Sequence, residues 1–475
     1  MIERKKEIEE LERLYNSNKA EFVAVYGRRR VGKTYLIDNV FKGRIFFKHA
    51  GLSPDDEYED ESELKKQLDQ FYSSLISSGL SESSKMPKTW FDAFRLLQKL
   101  IFQKDNGTRM VLFIDELPWM DTRKSNFIKA FEGFWNSFAC SRNNLMLIVC
   151  GSATSWIQNN LINNYGGLYG RITYEIKLKP FSLKGCEDYF KSRNISLSRY
   201  DIVNAYMIFG GIPYYLNYID SRYSLPQNVD NIFFKNNAKL SLEYDRLFRS
   251  IFTFSEKAKE IVKFLFSNNL GYTKKEIVAH TKISDGGTLT KYLDALIASD
   301  FVIKYVPFGY SKREERYKLI DPFCIFYLTF VINQQNNENF WTQNSTSQKL
   351  SSWRGYAFEN VCFNHIVQVK YALGISGVIT TASAFYCKED GYQIDLAIKR
   401  NDNIINLCEL KFYSNPFTVN KEYFFKINNR SNLLMEKISK KYIVKNTLIT
   451  TFGITKNEYY SVFSNVLTMD DLFGI

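Results

Sequence analysis

Three continuous apolar segments stand out in the first third of the chain, and polar, helix-like sequence separates each from the next. They are Phe22–Tyr26, Met110–Ile114 and Leu145–Cys150. Apolar runs of this length are typical of parallel strands that helices cover on both faces. The pattern therefore predicts an α/β region with a parallel sheet, which extends to about residue 180.

The pattern changes after this region. Residues 181–250 have mostly helical periodicity, interrupted by the Gly-Gly-Ile-Pro sequence at 210–213. Residues 251–322 follow as three helices and then two strands around a Pro-Phe-Gly turn at 307–309. We therefore predict two further segments, one helical and one a small mixed module.

The last quarter of the chain predicts another α/β region. The polar stretch Asn333–Ser352 is typical of a linker. A helix over Tyr356–Tyr371 comes next, followed by alternating strands near Gln393–Lys399 and Ile404–Phe412.

Composition narrows the class of protein. The 475 residues are 45% hydrophobic and carry a formal net charge of +12, which excludes a largely disordered chain. The positive excess is spread thinly, so it permits an anionic partner without identifying one. Seven cysteines without a CxxC pair favour reduced thiols over disulfides or a zinc site. Since the longest apolar stretch, Phe323–Ile332, is shorter than the roughly 20 residues of a membrane span, we expect a cytoplasmic protein and no membrane partner.

A glycine-rich loop follows the first apolar strand and opens a helix. Residues 27–34 read GRRRVGKT, which fits the GxxxxGK[ST] pattern. Backbone N–H groups of such a loop wrap phosphates, the lysine reaches the β- and γ-phosphates, and the threonine hydroxyl binds Mg²⁺. We therefore predict ATP and Mg²⁺ as cofactors. The predicted nucleotide-binding residues are Gly27, Arg28, Arg29, Arg30, Val31, Gly32, Lys33, Thr34 and Tyr35.

Two acids end the second apolar strand. Asp115 comes directly after Met110–Ile114, at the carboxyl edge of the predicted sheet, where it can hold the Mg²⁺ of a bound nucleotide. Glu116 follows and is the candidate base that polarises the attacking water. A solvated turn would give the same local pattern, but the upstream loop favours the functional interpretation.

Two further residues are candidates for sensing the γ-phosphate. Ser152 follows the third apolar strand; it could contact the γ-phosphate or the water, or it could be a helix N-cap before Trp156. Arg171, in the sequence LYGR, is a candidate arginine finger that acts on its own or a neighbouring subunit's nucleotide. A surface ion pair is the alternative for Arg171, and a homo-oligomer follows only if the finger acts in trans.

Five motifs in this order resemble the archaeal-type ATPases, which belong to the additional-strand P-loop class and are related to the STAND and AAA+ NTPases. The motifs are GRRRVGKT, VLFIDELPWM, GSATSW, LYGRITYEI and FGGIPYYL, and the resemblance covers about residues 10–330. It implies a helical lid over the nucleotide, with Pro213 on the base side of the site. A plain helix break is the alternative for Pro213.

The order of elements in 251–322 is that of a winged helix-turn-helix. Thr288–Ser299 would be its recognition-type helix, and the wing would lie around Phe308. Lys291 and Arg313 are among the side chains that could contact DNA phosphates. Because the wing also carries Glu314 and Glu315, a packing module without DNA contact stays open.

The C-terminal region carries acids in a nuclease-like order. Glu359 lies on an otherwise apolar helix face, and strand alternation exposes Asp395 on one strand and Glu409 with Lys411 on the next. Carboxylates on adjacent strands with a lysine two residues on can bind Mg²⁺ and stabilise a pentacovalent phosphate.

This constellation resembles the PD-(D/E)XK nuclease superfamily, although no proline precedes Asp395. The resemblance implies metal ligation by Glu359, Asp395 and Glu409. It also implies phosphodiester cleavage by Asp395, Glu409 and Lys411, with DNA as the expected partner. An inactive nuclease-like fold that only binds nucleic acid or protein stays open.

Together these features predict a P-loop NTPase of the additional-strand class with a helical lid, a winged helix and a C-terminal restriction-endonuclease-like domain. The predicted segments are an ATPase core at 1–180, a lid at 181–250, a winged helix at 251–322, a linker at 323–350 and a nuclease-like domain at 351–475. We expect ATP turnover to control Mg²⁺-dependent cleavage of DNA. The alternative is a regulatory or signalling ATPase whose C-terminal domain is catalytically inactive.

Overall fold

The structure is a computed structural model, and it forms two compact units. The first unit comprises Met1–Lys179 and Arg246–Ser255, and the second comprises Pro180–Asp245 and Glu256–Ile475. The division of the chain into five segments stays a prediction. The residues that the structure describes are 1–53, 60–163, 165–252, 255–284, 286–332, 337–387, 392–438 and 441–474.

A five-stranded parallel sheet forms the centre of the first unit, in the order β2-β3-β4-β1-β5. Its strands are β1 (Glu21–Tyr26), β2 (Ile45–Ala50), β3 (Met110–Asp115), β4 (Leu145–Gly151) and β5 (Tyr174–Lys177). The three predicted strands are β1, β3 and β4, which are buried along their whole length. The edge strands β2 and β5 are only partly buried, and their sequences therefore lack the continuous apolar run that reveals the others.

Helices cover this sheet, and aromatic side chains pack the space beneath them. Phe22 of β1 lies 5.7 Å from Phe131 and 4.9 Å from Trp135, measured between ring centroids. These contacts fix the helix Phe127–Ser137 against the sheet. The main helices of the unit are Lys5–Tyr15, Lys33–Val40, Asp60–Ser77, Trp90–Lys104 and Phe127–Ser137, with a short helix at Thr154–Ile157.

The second unit begins with helices and contains two sheets. Its helices up to residue 266 are Leu183–Ser192, Arg199–Phe209, Pro213–Leu216, Leu225–Val229 and, from its second residue on, Ser255–Phe266; the helix Glu243–Arg249 begins in this unit and ends in the first. Two more, Lys274–Thr281 and Gly287–Ala298, pack with a three-stranded antiparallel sheet of order β6-β8-β7. Its strands are β6 (Tyr272–Thr273), β7 (Val302–Tyr305) and β8 (Arg316–Leu319).

A five-stranded mixed sheet of order β13-β12-β11-β10-β9 ends the chain. Its strands are β9 (Thr380–Cys387), β10 (Tyr392–Arg400), β11 (Ile404–Lys411), β12 (Ile443–Thr450) and β13 (Asn465–Thr468). β10 and β11 match the predicted pair and are antiparallel neighbours. The helices of this part are Gln348–Asn364, Ile366–Ala372 and Lys421–Lys437. The predicted helix over Tyr356–Tyr371 is thus two helices that meet at His365.

The predicted linker is folded where the structure describes it; residues 333–336 lie outside the described residues. Phe340–Asn344 is a helix, and Trp341 is buried against Phe330 and Trp353, with ring centroids 5.2 and 5.6 Å apart. The Asp230 carboxylate accepts hydrogen bonds from the backbone N–H groups of Trp341 and Thr342, at 2.7 and 3.0 Å. The segment is therefore packed despite its polar composition, because its few aromatic residues are buried.

Two sequence-based exclusions can be compared with the structure. Among the described residues, no helix combines the length and the apolar character that crossing a bilayer requires. The described cysteines are all free thiols, and of these only Cys140 is exposed.

Candidate functional site

The glycine-rich loop connects β1 directly to the helix Lys33–Val40, as the sequence predicts. Gly27 has φ +139°, and a Cβ atom there would lie 2.3 Å from the Leu178 carbonyl oxygen. Gly32 is the helix N-cap and has φ +94°. Both conformations favour glycine, and the loop can therefore turn tightly and present backbone N–H groups at the helix start.

Lys33 points back into this loop. Its Nζ donates hydrogen bonds to the Gly27 and Arg28 carbonyl oxygens, at 3.0 and 3.2 Å, and to Ser152 Oγ at 3.1 Å. Burial lowers the pKa of Lys33, although the nearby Glu116 carboxylate works in the opposite direction. A buried ammonium surrounded by neutral oxygens is favourably placed to gain an anionic ligand such as a phosphate.

Thr34 and Asp115 meet at the carboxyl edge of the sheet. The Thr34 hydroxyl donates to Asp115 Oδ2 at 2.6 Å. Burial raises the pKa of Asp115, whereas this hydrogen bond lowers it. A hydroxyl and a carboxylate in contact next to the loop fit the ligands that Mg²⁺ takes from protein in phosphate sites, where most of its ligands are water and phosphate.

Glu116 and Ser152 form the second pair at this edge. The two Glu116 carboxylate oxygens accept from the Ser152 hydroxyl at 2.6 Å and from its backbone N–H at 2.9 Å. Glu116 has φ +45°, a left-handed conformation that is uncommon for a residue other than glycine. Ser152 does not cap the next helix, since the N-cap there is Ala153.

The other predicted nucleotide residues have mixed surroundings. Arg28 and Val31 are buried, and the Arg29 guanidinium lies 5.7 Å from the centroid of the Trp119 ring. Arg30 has φ +72°. Tyr35 is 63% exposed on the outer face of the helix that follows the loop.

Arg171 and Pro213 lie apart from this group in the chain. Arg171 is exposed on the turn that follows Gly170 in the first unit. Pro213 is the first residue of the short helix Pro213–Leu216 in the second unit. Their roles at the nucleotide stay predictions.

Comparison with known proteins identifies the first part of the chain. Residues 1–219 match the family described as an ATPase domain predominantly from Archaea. This segment is similar to the archaeal-type ATPase domains. The match contains the glycine-rich loop, both acids at the end of β3, and Ser152, so that the ATPase domain holds the whole group of contacts described above.

Two proteins of one organism are similar to this chain, one over most of its length and one over a short segment. An uncharacterized protein of Methanocaldococcus jannaschii, MJECL04, is 24% identical over 420 residues, which covers 86% of this chain and 87% of that protein. A second protein of the same organism, the uncharacterized ATP-binding protein MJ0423, is 51% identical over 43 residues, 9% of this chain and 73% of that protein.

Solved structures were also compared. The Walker-type ATPase PABY2304 of Pyrococcus abyssi has a TM-score of 0.45 at 19% identity and covers 69% of this chain and 96% of its own. The ORC2 protein of Aeropyrum pernix has a TM-score of 0.42 at 12% identity, and the match covers 70% of this chain and 94% of that one.

The C-terminal sheet carries a second group of charged residues around a cleft of about 1090 Å³. Glu359, Asp395, Glu409 and Lys411 all line this cleft, so the structure brings together the predicted nuclease-like residues. Asp395 Oδ2 accepts from the Leu410 backbone N–H at 3.2 Å, which joins β10 to β11 at this point.

The negative charge of Glu409 is balanced by cationic neighbours. Lys411 Nζ lies 2.7 Å from Glu409 Oε1, and Arg430 Nη1 lies 2.6 Å from Oε2. The Tyr423 hydroxyl donates to the same carboxylate. Although burial alone would raise the pKa of Glu409, these partners lower it to about 2. Glu409 is therefore a charged carboxylate whose two oxygens already have cationic or hydrogen-bonding partners.

The pKa values of the other two acids, Glu359 and Asp395, are shifted in the opposite direction. Burial, together with the charge of Asp395, raises the pKa of Glu359 to about 7. Burial and Glu409 raise the pKa of Asp395 to about 6. Among the described residues, no three His, Cys, Asp or Glu side chains are grouped so that they could hold a metal ion. The predicted ligands thus share a cleft, but their arrangement in the structure does not fit a metal site.

Sequence reasoning missed four residues whose contacts or charges act on these acids. Arg430 and Tyr423 come from the helix Lys421–Lys437, and Asn269 and Lys318 come from the segment 256–322. Asn269 Nδ2 donates to Glu359 Oε2 at 2.6 Å. No local pattern marks them: β8 reads Arg-Tyr-Lys-Leu, in which Lys318 looks like ordinary strand alternation.

The predicted wing also lies against the C-terminal sheet. The Phe308 backbone N–H donates to the Ala384 carbonyl oxygen at 3.2 Å, and its ring packs on a cluster that includes Ile394 and Leu407. Lys291 and Arg313 are exposed. Of the two interpretations of this segment, packing thus accounts for Phe308, and DNA contact stays a prediction for the exposed cations.

Proposed function

We propose that the ATPase domain hydrolyses ATP at the edge formed by Lys33, Thr34, Asp115, Glu116 and Ser152. The observation that carries this proposal is the linked set of contacts from Lys33 through Ser152 to Glu116, beside the Thr34–Asp115 pair. ATP would replace the loop carbonyls as the partner of the Lys33 ammonium. Thr34 and Asp115 would hold Mg²⁺, which supplies positive charge to the β- and γ-phosphates.

Glu116 would orient and polarise the attacking water, and Ser152 would hold Glu116 in position. A carboxylate on a strained backbone with two donors from one residue has little freedom to rotate. This rigidity supports a positioning role for Ser152, in place of a purely structural one.

Turnover measured by phosphate release tests the assignment. Lys33→Ala should abolish hydrolysis, because the only lysine of the loop would be lost from the phosphate site. Lys42→Ala, at an exposed position in the same unit, is the matched control and should retain wild-type turnover. Hydrolysis that persists in Lys33→Ala would discard this site.

We propose further that nucleotide turnover controls a nuclease-like activity on DNA in the C-terminal cleft. The cleft combines acids with Lys411, Lys426 and Arg430, which is a suitable lining for a phosphodiester backbone. Plasmid and single-stranded DNA incubated with Mg²⁺ or Mn²⁺, with and without ATP, should be cleaved by the wild type and not by Asp395→Ala or Lys411→Ala. Cleavage that both variants retain would contradict the assignment.

A second candidate is a regulatory ATPase whose C-terminal domain binds nucleic acid or protein without cleaving it. The neutralised Glu409 and the lack of a three-ligand metal group among the described residues favour this alternative. The same assay separates the two, since wild type that never cleaves under any nucleotide condition supports the second candidate.

A further inference from the structure

Three large aromatic side chains line the C-terminal cleft and are exposed to solvent. Tyr356 is 56% exposed, Phe425 51% and Tyr413 48%. They come from three separate parts of the chain, which are the helix Gln348–Asn364, the helix Lys421–Lys437 and the segment that follows β11. Single exposed aromatic residues are common on protein surfaces, whereas several around one cleft indicate a binding surface.

The Tyr413 ring is held in place by neighbouring rings. Its centroid lies 5.7 Å from that of Phe417, and the angle between the two ring planes is 22°. Phe417 in turn packs against Tyr423 at 5.3 Å, in an edge-to-face arrangement, and the Tyr423 hydroxyl donates to Glu409. A ring that is stacked on one neighbour and half exposed can offer its other face to a planar ligand.

Two lysines lie close to this row of rings. Lys411 Nζ is 5.9 Å and Lys426 Nζ is 6.0 Å from the centroid of the Tyr423 ring. Lys426 is exposed, whereas Lys411 forms an ion pair with Glu409 at 2.7 Å. Acids line the cleft as well, among them the exposed Glu422. We therefore expect stacking on the rings to contribute more to binding than attraction by the cations.

The size and the lining of the cleft fit an unpaired nucleotide chain. Its volume of about 1090 Å³ exceeds the roughly 300–1,000 Å³ of small-molecule pockets. Exposed amide and hydroxyl side chains complete the lining, and they are Gln393, Asn429, Ser351 and Ser352. Rings that stack, polar groups that hydrogen-bond to base edges and a cation for phosphate are the groups that bind unpaired nucleotides. In a duplex, neighbouring base pairs cover the faces of each base, and a protein ring cannot stack there.

We propose that the C-terminal cleft binds single-stranded nucleic acid, with bases stacked on Tyr356, Tyr413 and Phe425 and a phosphate next to Lys426. The proposal rests on the proposed function, since it takes this cleft as the site for nucleic acid and adds the form that the nucleic acid has. It applies whether or not the bound strand is then cleaved.

Fluorescence anisotropy of labelled oligonucleotides with the full chain, in EDTA and without ATP, provides the test. The probes are a DNA strand of about 12 nucleotides, an RNA strand of the same sequence and the corresponding DNA duplex. We expect wild type to bind a single strand at least about tenfold more tightly than the duplex. Tighter binding of either strand supports the proposal, and the comparison of the two shows which sugar the cleft prefers.

Replacing one ring at a time separates stacking from other contacts. Tyr356→Ala and Tyr413→Ala should each weaken single-strand binding by about 5- to 150-fold, which is the usual effect of losing one stacked base. Tyr413→Phe keeps the aromatic face and should bind as wild type does. Tyr371→Ala, at a position that is 60% exposed and not part of the cleft lining, is the matched control and should also bind as wild type does.

Two further variants complete the test. Phe425→Ala lies on a different helix from Tyr356 and should weaken binding by a similar factor, so it keeps the test decisive if thermal unfolding shows that another variant has lost its fold. Lys426→Ala should reduce the slope of log affinity against log salt by about 0.7, the value for one phosphate of a single strand. An unchanged slope would contradict the phosphate contact.

Three outcomes overturn the proposal and differ in what else they remove. Equal binding of duplex and single strand, unchanged in the three alanine variants of the rings, rejects stacking and leaves nucleic acid as the proposed partner of the cleft. Single-strand binding that these folded variants all retain shows that the strand binds elsewhere on the chain. No binding of any probe rejects the single-strand site together with the DNA part of the proposed function, and it leaves a protein as the partner of the cleft.

Discussion

The Ser152 hydroxyl is the point where the catalytic assignment can be measured most directly. It donates to Glu116 Oε1 at 2.6 Å and accepts from Lys33 Nζ at 3.1 Å, and therefore it links the proposed base to the phosphate-binding lysine. Ser152→Ala removes both contacts and keeps the backbone N–H that donates to Glu116 Oε2 at 2.9 Å. Glu116 would then be held at one oxygen only.

The size of the effect follows from the hydrogen bond to a charged group. Such a bond contributes about 1.5–3 kcal/mol. If it acts mainly by orienting Glu116 in the transition state, its loss lowers kcat by about 10- to 150-fold. ATP affinity should change much less, because the carbonyl acceptors of Lys33 and the loop itself remain.

Steady-state hydrolysis and nucleotide binding, measured on the same preparation, separate these effects. Ser137→Ala is the control, since its hydroxyl is exposed and donates only within its own helix, to the Gly133 carbonyl oxygen. A kcat equal to that of wild type in Ser152→Ala would refute the positioning role. An equal loss of affinity and turnover would instead assign Ser152 to nucleotide binding.

Three further predictions concern the loop, the second unit and assembly. Gly27→Ala should lower both Tm and ATP affinity, because the residue has φ +139° and the new Cβ would lie 2.3 Å from the Leu178 carbonyl oxygen. Gly133→Ala is the control and should change neither, since the space around its Cβ is open. A wild-type Tm in Gly27→Ala would contradict this geometry. Burial lowers the pKa of His365 to about 4, and its Nε2 accepts a hydrogen bond from the Leu183 N–H at 2.9 Å. The stability that the neutral ring contributes is fully present above pH 6.5 and is lost as the pH falls through about 4. Between pH 6.5 and pH 4, the free energy of unfolding measured in urea should fall by up to about 3 kcal/mol more in wild type than in His365→Gln. Parallel pH profiles of the two proteins would show that His365 does not contribute. Arg171→Ala should leave Tm unchanged because the side chain is exposed. If the arginine acts on a neighbouring subunit, mixing Arg171→Ala with Lys33→Ala should restore ATP turnover. Wild-type turnover in Arg171→Ala alone would exclude an arginine finger.

The local parts of the nucleotide site could be predicted from the sequence. A continuous apolar run, a glycine-rich loop and a helix follow one another within about twenty residues, and their mutual positions are dictated by short-range geometry. Parallel strands end at one edge, and for this reason residues far apart in the sequence, such as Thr34 and Asp115, were expected to meet there. The contact at 2.6 Å agrees with that expectation.

Other features depend on packing across long separations in the chain. The edge strands β2 and β5 have no distinctive pattern, since only one side of each is covered. The segment 333–352 resembles a linker because most of its residues are polar, yet Trp341 within it is buried against Trp353, and the described part is folded. The pattern of apolar residues along a helix or strand indicates how much of its surface is buried. It does not indicate which other element buries that surface.

The C-terminal cleft shows this division most clearly. The sequence by itself determined the strand alternation that places Asp395, Glu409 and Lys411 toward one side, because successive side chains of a strand alternate between faces. Only the tertiary structure decided that Arg430 and Tyr423 contact Glu409, and that Asn269 donates to Glu359 from another part of the chain. The physical reason is that the electrostatic environment of a buried carboxylate depends on the charges that folding brings near it, and no local pattern of residues specifies those distances.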